Sequence, residues 1–247
     1  MSSVSATLLI LLAWWVASLF SPADVFPSPW QVVSAMERVI ATGRIWIHLG
    51  ATLSRLAIGF TIGATVALGV ALGVEILPRA AHVAEAATAL LYSVPKIAIL
   101  PMLIVWLGLG EAPKLLLLAL AAFFPVFMMS RSGLRGVDAG VLMAAAASGL
   151  HRVTILRYVR LPLAGPVILS GLRVALGYSF IMVVTAELFA TTRGLGYLIL
   201  EAAERFDLAL AMAAVCLLSA MNLICAKAFL GLEQRYRTRM LGGSARP

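Results

Sequence analysis

The chain has 247 residues, 62% of them hydrophobic and only 12% charged, with a mean hydropathy of +1.01. A water-soluble globule carries about twice that share of charge, so a wholly water-facing surface is excluded and lipid must cover much of the chain. The formal charge of +8 and pI near 10.2 do not call for nucleic acid, because loops on the inner side of a membrane collect Lys and Arg.

A bilayer core about 30 Å thick needs about 20 mostly apolar residues per helix. Such runs occupy 4–20, 56–76, 86–107, 115–130, 167–190 and 208–230. The sequence therefore predicts an all-α integral membrane protein of about six transmembrane helices. The first run has neither a charged leading region nor a cleavage site before the Pro22–Pro29 turn, and reads as a retained span rather than a signal peptide. After it, Val32, Val33, Met36, Val39 and Ile40 recur at helical spacing within 32–44. Such an amphipathic stretch lies on the membrane surface or packs on the bundle. Gly59, Gly63, Gly69 and Gly73 form two G-x-x-x-G spacings, which allow close helix approach within one chain or between two. Cys216 and Cys225 share one apolar run, ~13 Å apart along a helix and too far for a disulfide; they read as core packing.

Arginine sets the orientation. Arg131, Arg135, Arg152, Arg157 and Arg160 follow the fourth run; Arg235, Arg237, Arg239 and Arg246 follow the sixth. Both groups lie an even number of crossings from the start, so they and both termini fall on the cytoplasmic side. Arg38 and Arg44 run against this rule.

Residues 138–162, DAGVLMAAAASGLHRVTILRYVRLP, are too polar for lipid and too regular for a linker. Asp138 is an N-cap for an Ala-rich helix. Gly149 ends that helix in a left-handed conformation. A second short helix over 152–159 carries Val153, Leu156 and Val159 on one face, with Arg152, Arg157 and Arg160 off it. Pro162 then stops the segment. By composition this is either an ordinary connector or a docking element.

The spacing favours docking. Met143-Ala144-Ala145, three residues, Gly149, nine residues, then Val159-Arg160-Leu161-Pro162 resembles the E-A-A…G…I-x-L-P motif in permeases of binding-protein-dependent ABC importers. Met143 stands where the motif has Glu, and Val159 where it has Ile. LYSVPKIAILPMLIVWLGLGE (91–111), SGLRVALG (170–177), AEL (186–188) and GLGYLI (194–199) are similar, in order, to the nitrate, sulfonate and taurine branch. The likeness runs from about 48 to 230.

The resemblance implies the type I importer permease fold, with a first helix and outer amphipathic segment at 1–44. A permease core follows at 45–231, containing the coupling loop 138–162, and a basic cytoplasmic tail closes the chain at 232–247. It implies that Met143, Ala144, Ala145, Gly149, Leu150, Arg152, Arg157, Leu161 and Pro162 meet a separate ATPase. The expected partners are two ATPase subunits, a second copy or close paralogue of this chain, and an external binding protein, in a bacterial inner membrane. ATP and Mg would sit on the ATPase, since no G-x-x-x-x-G-K-[ST] loop occurs here, and no cofactor is expected on this chain. His48, His82 and His151 are scattered singly, with no serine–histidine or metal-ligand cluster to suggest an enzyme.

Ionisable residues inside apolar runs are candidates for the pathway. Lys96, about 15 Å into the third run, lies near the midplane between Pro95 and Pro101, which would break or bend the helix. Arg173 lies toward the cytoplasmic end of the fifth run, where it lines the pathway or snorkels. Glu187 falls near that run's outer end, as a gate, a binding-protein contact or a partner of Arg193. Lys96, Arg173 and Arg193 would suit an anionic substrate; nitrate, sulfonates, taurine and vitamin precursors all use permeases of this pattern. An ion-gradient carrier is the alternative that Lys96 and Glu187 suggest, although such carriers often show internal repeats and none is visible.

Overall fold

The computed structural model describes residues 3–22, 25–189 and 191–240. Part of the Pro22–Pro29 turn, Ala190 at the end of the fifth run and Arg246 in the tail lie outside the described residues. Among those described, the regular elements are all helical: α1 (Ser3–Leu19), α2 (Pro29–Ala41), α3 (Arg44–Ile76), α4 (Pro78–Tyr92), α5 (Lys96–Leu107), α6 (Glu111–Arg135), α7 (Ala139–Ala147), α8 (Arg152–Ile155), a π turn (Leu156–Arg160), α9 (Leu161–Phe189), α10 (Leu195–Glu204) and α11 (Leu208–Met240).

Among the described residues, four helices are long and apolar enough to cross a bilayer: α3, α6, the continuous Arg152–Phe189 stretch that ends in α9, and Leu208–Arg239 of α11. Ser5–Leu19 is apolar but shorter. Leu8, Ile10, Val105, Trp106 and Ile224 stand exposed. In water that much open apolar surface would aggregate; in a bilayer it faces lipid.

The expected third span is not one straight helix. α4 and α5 meet at a bend of 95°. The cause is Pro95, whose ring disfavours helical backbone at Val94 and which itself takes φ −67°, ψ 102° as the cap of α5. Pro101 lies inside α5 without ending it, so only one of the two prolines breaks the chain. Lys96 thereby becomes the first residue of α5.

Two compact units divide the chain: Met1–Ser54 with Val183–Met221, and Arg55–Met182 with Asn222–Pro247. In the first, α2 starts on a reciprocal cap. The Gln31 N–H donates to Ser28 Oγ, and the Ser28 N–H donates to Gln31 Oε1 at 2.7 Å. This satisfies two backbone donors that a helix start leaves open. Its apolar stripe, Val32 and Ala35, packs on Ala213, Trp14 and Ala209, so the amphipathic segment serves the bundle. Cys216 is exposed and Cys225 half-buried; neither is a core residue of this chain.

The second unit is built on small side chains. Ala64, Ala67 and Ala71 of α3 meet Ala122, Val126 and Phe127 of α6 and Ala175 of α9. A Cβ at Gly63 would collide with the Ala119 carbonyl, and one at Gly59 would lie 2.5 Å from Leu118 Cβ. Half of the glycine pattern therefore serves packing within the chain. A Cβ at Gly69 or Gly73 meets nothing within 4 Å. Hence Gly63→Ala, which strikes backbone rather than a movable side chain, should destabilise the protein by about 1–3 kcal/mol. Gly69→Ala should be neutral or slightly stabilising. Thermal unfolding of both variants in one detergent checks the contrast.

Candidate functional site

The segment after α6 forms an elbow. Asp138 caps α7, its Oδ1 accepting the Val141 N–H at 3.1 Å. At the far end the Gly149 N–H donates to the Ala146 carbonyl at 3.0 Å. Gly149 takes φ +77°, a left-handed geometry open to glycine at no steric cost. His151 caps α8, its Nδ1 accepting the Val153 N–H at 3.4 Å. The helix–glycine–helix reading thus matches the described backbone.

No residue of α7 is buried. Met143 is 66% exposed; Ala144, Gly149, Leu150, Arg152, Val153 and Arg157 are exposed too, and Ala145 is half-buried. An alanine-rich helix beside open Met, Leu and Val side chains offers its surface to something outside the chain.

Pro162 does not stop the segment as expected. Helix continues from Arg152 through Phe189. The π turn just before Pro162 resolves the conflict: the Leu161 N–H reaches back five residues to the Leu156 carbonyl. The wider turn accommodates a proline within a continuous helix. The Pro162 carbonyl accepts the Tyr236 hydroxyl at 3.0 Å. Gly165 lies against the Tyr236 ring, where a Cβ would come within 2.5 Å of the ring atoms. Leu156 packs with Leu134, Ala164 and Ile168, fixing the base of the elbow to α6 and α9.

An ionic chain braces the same base. Arg160, at the end of the π turn, and Arg131 of α6 both donate to Glu75, one residue from the end of α3. Arg131 also donates to Glu85 of α4 at 2.7 Å, and Arg135 pairs with Glu85 at 2.6 Å. Glu75 and Arg131 are almost wholly buried. Three arginines that read as mere inner-side charge thus tie the elbow to α3, α4 and α6. Sequence reasoning passed over Glu75 and Glu85. An acid near the end of an apolar run was the available signal, and the rule that singled out Lys96 applies to it equally.

The candidate pathway residues each have partners of their own. Lys96 is buried; its Nζ donates to the Tyr92 carbonyl at 3.0 Å and lies 4.7 and 4.5 Å from the ring centroids of Tyr92 and Phe124. Arg173 sits twelve residues beyond Leu161 in α9, ~18 Å along it, half-buried and with Ser170 Oγ as a 3.5 Å partner. In the other unit, Glu187 is fully buried and accepts the Thr52 hydroxyl and the Gly196 N–H at 2.9 Å each. The Leu195 N–H donates to Thr52 Oγ1 at 2.8 Å. A carboxylate at the start of α10 faces the positive end of the helix dipole. Gly194 has φ +130°, and a Cβ there would collide with the Glu187 carboxyl group. The A-E-L and G-L-G-Y segments are therefore two halves of one contact. Glu111 of the G-L-G-E sequence, likewise missed, holds Arg55 through two bonds of 2.7 and 2.8 Å and pairs with Lys114 at 3.1 Å.

Helices with apolar outer faces, carrying an exposed helix–glycine–helix elbow, define an integral membrane protein of several spans. The chain belongs to the family of binding-protein-dependent transport system inner membrane components, whose profile matches residues 59–238. It is 30% identical over 240 residues to the taurine transport system permease protein TauC of Escherichia coli K12, covering 94% of this chain and 87% of that one. It is 36% identical to the putative aliphatic sulfonates transport permease protein SsuC of the same organism, over 79% and 75% of the two chains. It is also 36% identical to the riboflavin transport system permease protein RibX of Chloroflexus aurantiacus, over 88% and 82%. The fold is similar to that of the MetNI methionine ABC transporter in inward-facing conformations. The TM-score is 0.67 at 18% identity, over 78% of this chain and 97% of that one. The chain is thus a multi-pass inner-membrane permease of the type I importer fold, and ATP is hydrolysed on separate subunits.

Removing Glu75 leaves Arg131 and Arg160 without their shared acceptor. Glu75→Ala should cost about 3 kcal/mol of stability and raise proteolytic cleavage within 138–160, with Glu75→Asp restoring part of both. Limited proteolysis beside thermal unfolding reads the two effects. An unchanged cleavage rate would show that the brace does not hold the elbow.

Proposed function

We propose that the α7–α8 elbow is the coupling element of this importer permease and seats in an ATPase subunit. The observation that carries it is the combination of an outer face with no buried residue in α7 and a base fixed by the Glu75 brace. A lever needs both a free end and a stiff attachment, because small interface shifts must become rigid-body motion. Met143, Ala144, Gly149 and Leu150 form the seat, with Ala145 at its edge; Arg152 and Arg157 flank it. Leu161 and Pro162 belong to the base rather than the seat. Met143 leaves no carboxylate at the motif position, so contact there is apolar.

The working assembly in this reading is two copies of this chain, or one with a close paralogue, two ATPase subunits binding ATP and Mg, and one external binding protein. The permease core is 45–231, both termini are cytoplasmic, and the pathway carries a small anionic nutrient of the sulfonate or taurine kind. The names of the relatives support that substrate class, as do Lys96 and Arg173 within the membrane segments. Lys96 and the Pro95 bend, with Pro101 beyond it, are assigned to the pathway wall. Glu187 is assigned to fixing the outer end of α9 against α10.

Ala144→Asp puts a charge on an exposed position of α7, so the fold should tolerate it. It should reduce co-purification of the ATPase at least tenfold while leaving the unfolding temperature of the permease unchanged. In a Cys216→Ser, Cys225→Ser background, a single cysteine replacing Ala144 should cross-link to the ATPase. Retained co-purification together with no cross-link would refute the assignment. Uptake of taurine, an alkanesulfonate and riboflavin by the reconstituted complex tests the substrate class.

A further inference from the structure

The turn between α10 and α11 contains a residue that the chain itself does not explain. Phe206 has φ +58°, the positive-φ non-glycine residue among those described. The geometry is that of a helix end: the Phe206 N–H donates to the Ala203 carbonyl at 3.1 Å, and the Asp207 N–H to the Ala202 carbonyl at 2.9 Å. Asp207 Oδ1 then accepts the Leu210 N–H at 3.0 Å and starts α11. Glycine is the usual occupant of such a position, and a bulky side chain there is strained. Burial does not compensate, since the Phe206 ring is 81% exposed. Both backbone preference and solvation would favour glycine. A strained, exposed aromatic points to a use outside the chain.

Its surroundings indicate what kind. Beside it lies a polar cleft of about 200 Å³ lined by Gln31, Ser34, Arg38 and Asp207. Arg38 is exposed and makes no ion pair among the described residues, whereas Arg44 and Arg205 both bond Glu201. Charged Arg205 and Asp207 flank the ring, which suits water rather than acyl chains. From the elbow to residues 191–207 the chain runs through one helix long and apolar enough to cross a bilayer, Arg152–Phe189, so on the importer reading above the turn falls on the side opposite the ATPase. Arg38, which runs against the inner-side rule for positive charge, acquires a purpose there.

We infer that Phe206 and Arg38 are the contact point for the external binding protein: the ring enters an apolar socket on that protein, and the guanidinium takes one of its carboxylates. An aromatic anchor beside an arginine is the usual make-up of an interface hot spot. The inference rests on the importer reading above and specifies its outer partner surface.

The test uses the full permease–ATPase complex in nanodiscs, with the sulfonate-class binding protein of the same genome that stimulates its ATP hydrolysis most. Phe206→Gly suits the backbone and should fold at least as well as the parent, with co-purification of the ATPase confirming assembly. It should raise the binding-protein concentration for half-maximal stimulation roughly tenfold, and Phe206→Ala should do the same. Arg38→Gln should raise it as well and weaken its dependence on salt. A fluorophore attached to the single thiol of a Phe206→Cys variant, in the Cys216→Ser, Cys225→Ser background, should be quenched by aqueous iodide and shielded by the binding protein. An unchanged half-maximal concentration for Phe206→Gly overturns this inference alone. So does a fluorophore quenched by brominated lipid and untouched by the binding protein, which would place the ring in the membrane. A parental complex that no binding protein stimulates overturns the importer reading and this inference with it.

Discussion

The carboxylate of Glu75 is the joint on which the elbow depends. It sits at the end of α3, almost wholly buried, and receives Arg131 from α6 and Arg160 from the π turn. Breaking a buried pair by removing one partner costs far more than the pair contributes by being there. Loss of Glu75 would therefore be felt strongly, although Leu156 still packs on Leu134, Ala164 and Ile168. Glu85, shared by Arg131 and Arg135, extends the tie to α4. These charges tie the base of the segment to α3, α4 and α6, which is the stiff attachment the proposed coupling role needs.

The same logic governs Glu187. Near lipid a bare carboxylate is expensive, and here its oxygens are met by the Thr52 hydroxyl and the Gly196 N–H. Gly194 and Gly196 are required because Glu187 occupies the space a Cβ would need. A reading by residue type alone leaves Glu187 as a gate, a binding-protein contact or a partner of Arg193, since an acid in an apolar run is a functional candidate by default. Its described contacts include the Thr52 hydroxyl and the first turn of α10. The Arg55–Glu111–Lys114 group does comparable work at the start of α6. Among the described residues, Glu75, Lys114, Arg131 and Glu187 are buried charges within about a turn of a helix end.

Legibility followed the physics of each signal. Span positions were visible because lipid demands long apolar runs, and the elbow because Asp138 and Gly149 are strong helix punctuation. The bend at Pro95 was half visible: two prolines stand out in the sequence, but only the one preceding a helix start breaks the chain, while Pro101 is absorbed within α5. Pro162 misled for a related reason, because a π turn upstream can carry a helix through a proline. The glycine pattern of α3 was correct in kind but not in extent, since only Gly59 and Gly63 face a neighbour. The ionic brace was hidden because a partner 56 or 85 residues away leaves no mark in local periodicity, and each arginine already had a sufficient explanation in the inner-side charge rule.

That last point bears on the replacement of the motif's acid by Met143. An exposed glutamate at the seat would add a rim ion pair, which screens readily and contributes little to affinity. Methionine instead offers a flexible apolar side chain that adapts to an uneven surface. The paired charges lie at the base, with Glu75 and Arg131 almost out of solvent; in the proposed seat, contact is left to shape and apolar surface. The ion pairs that fix the base do not involve Met143, so on the coupling proposal the loss of an acid at the free end leaves those bonds in place.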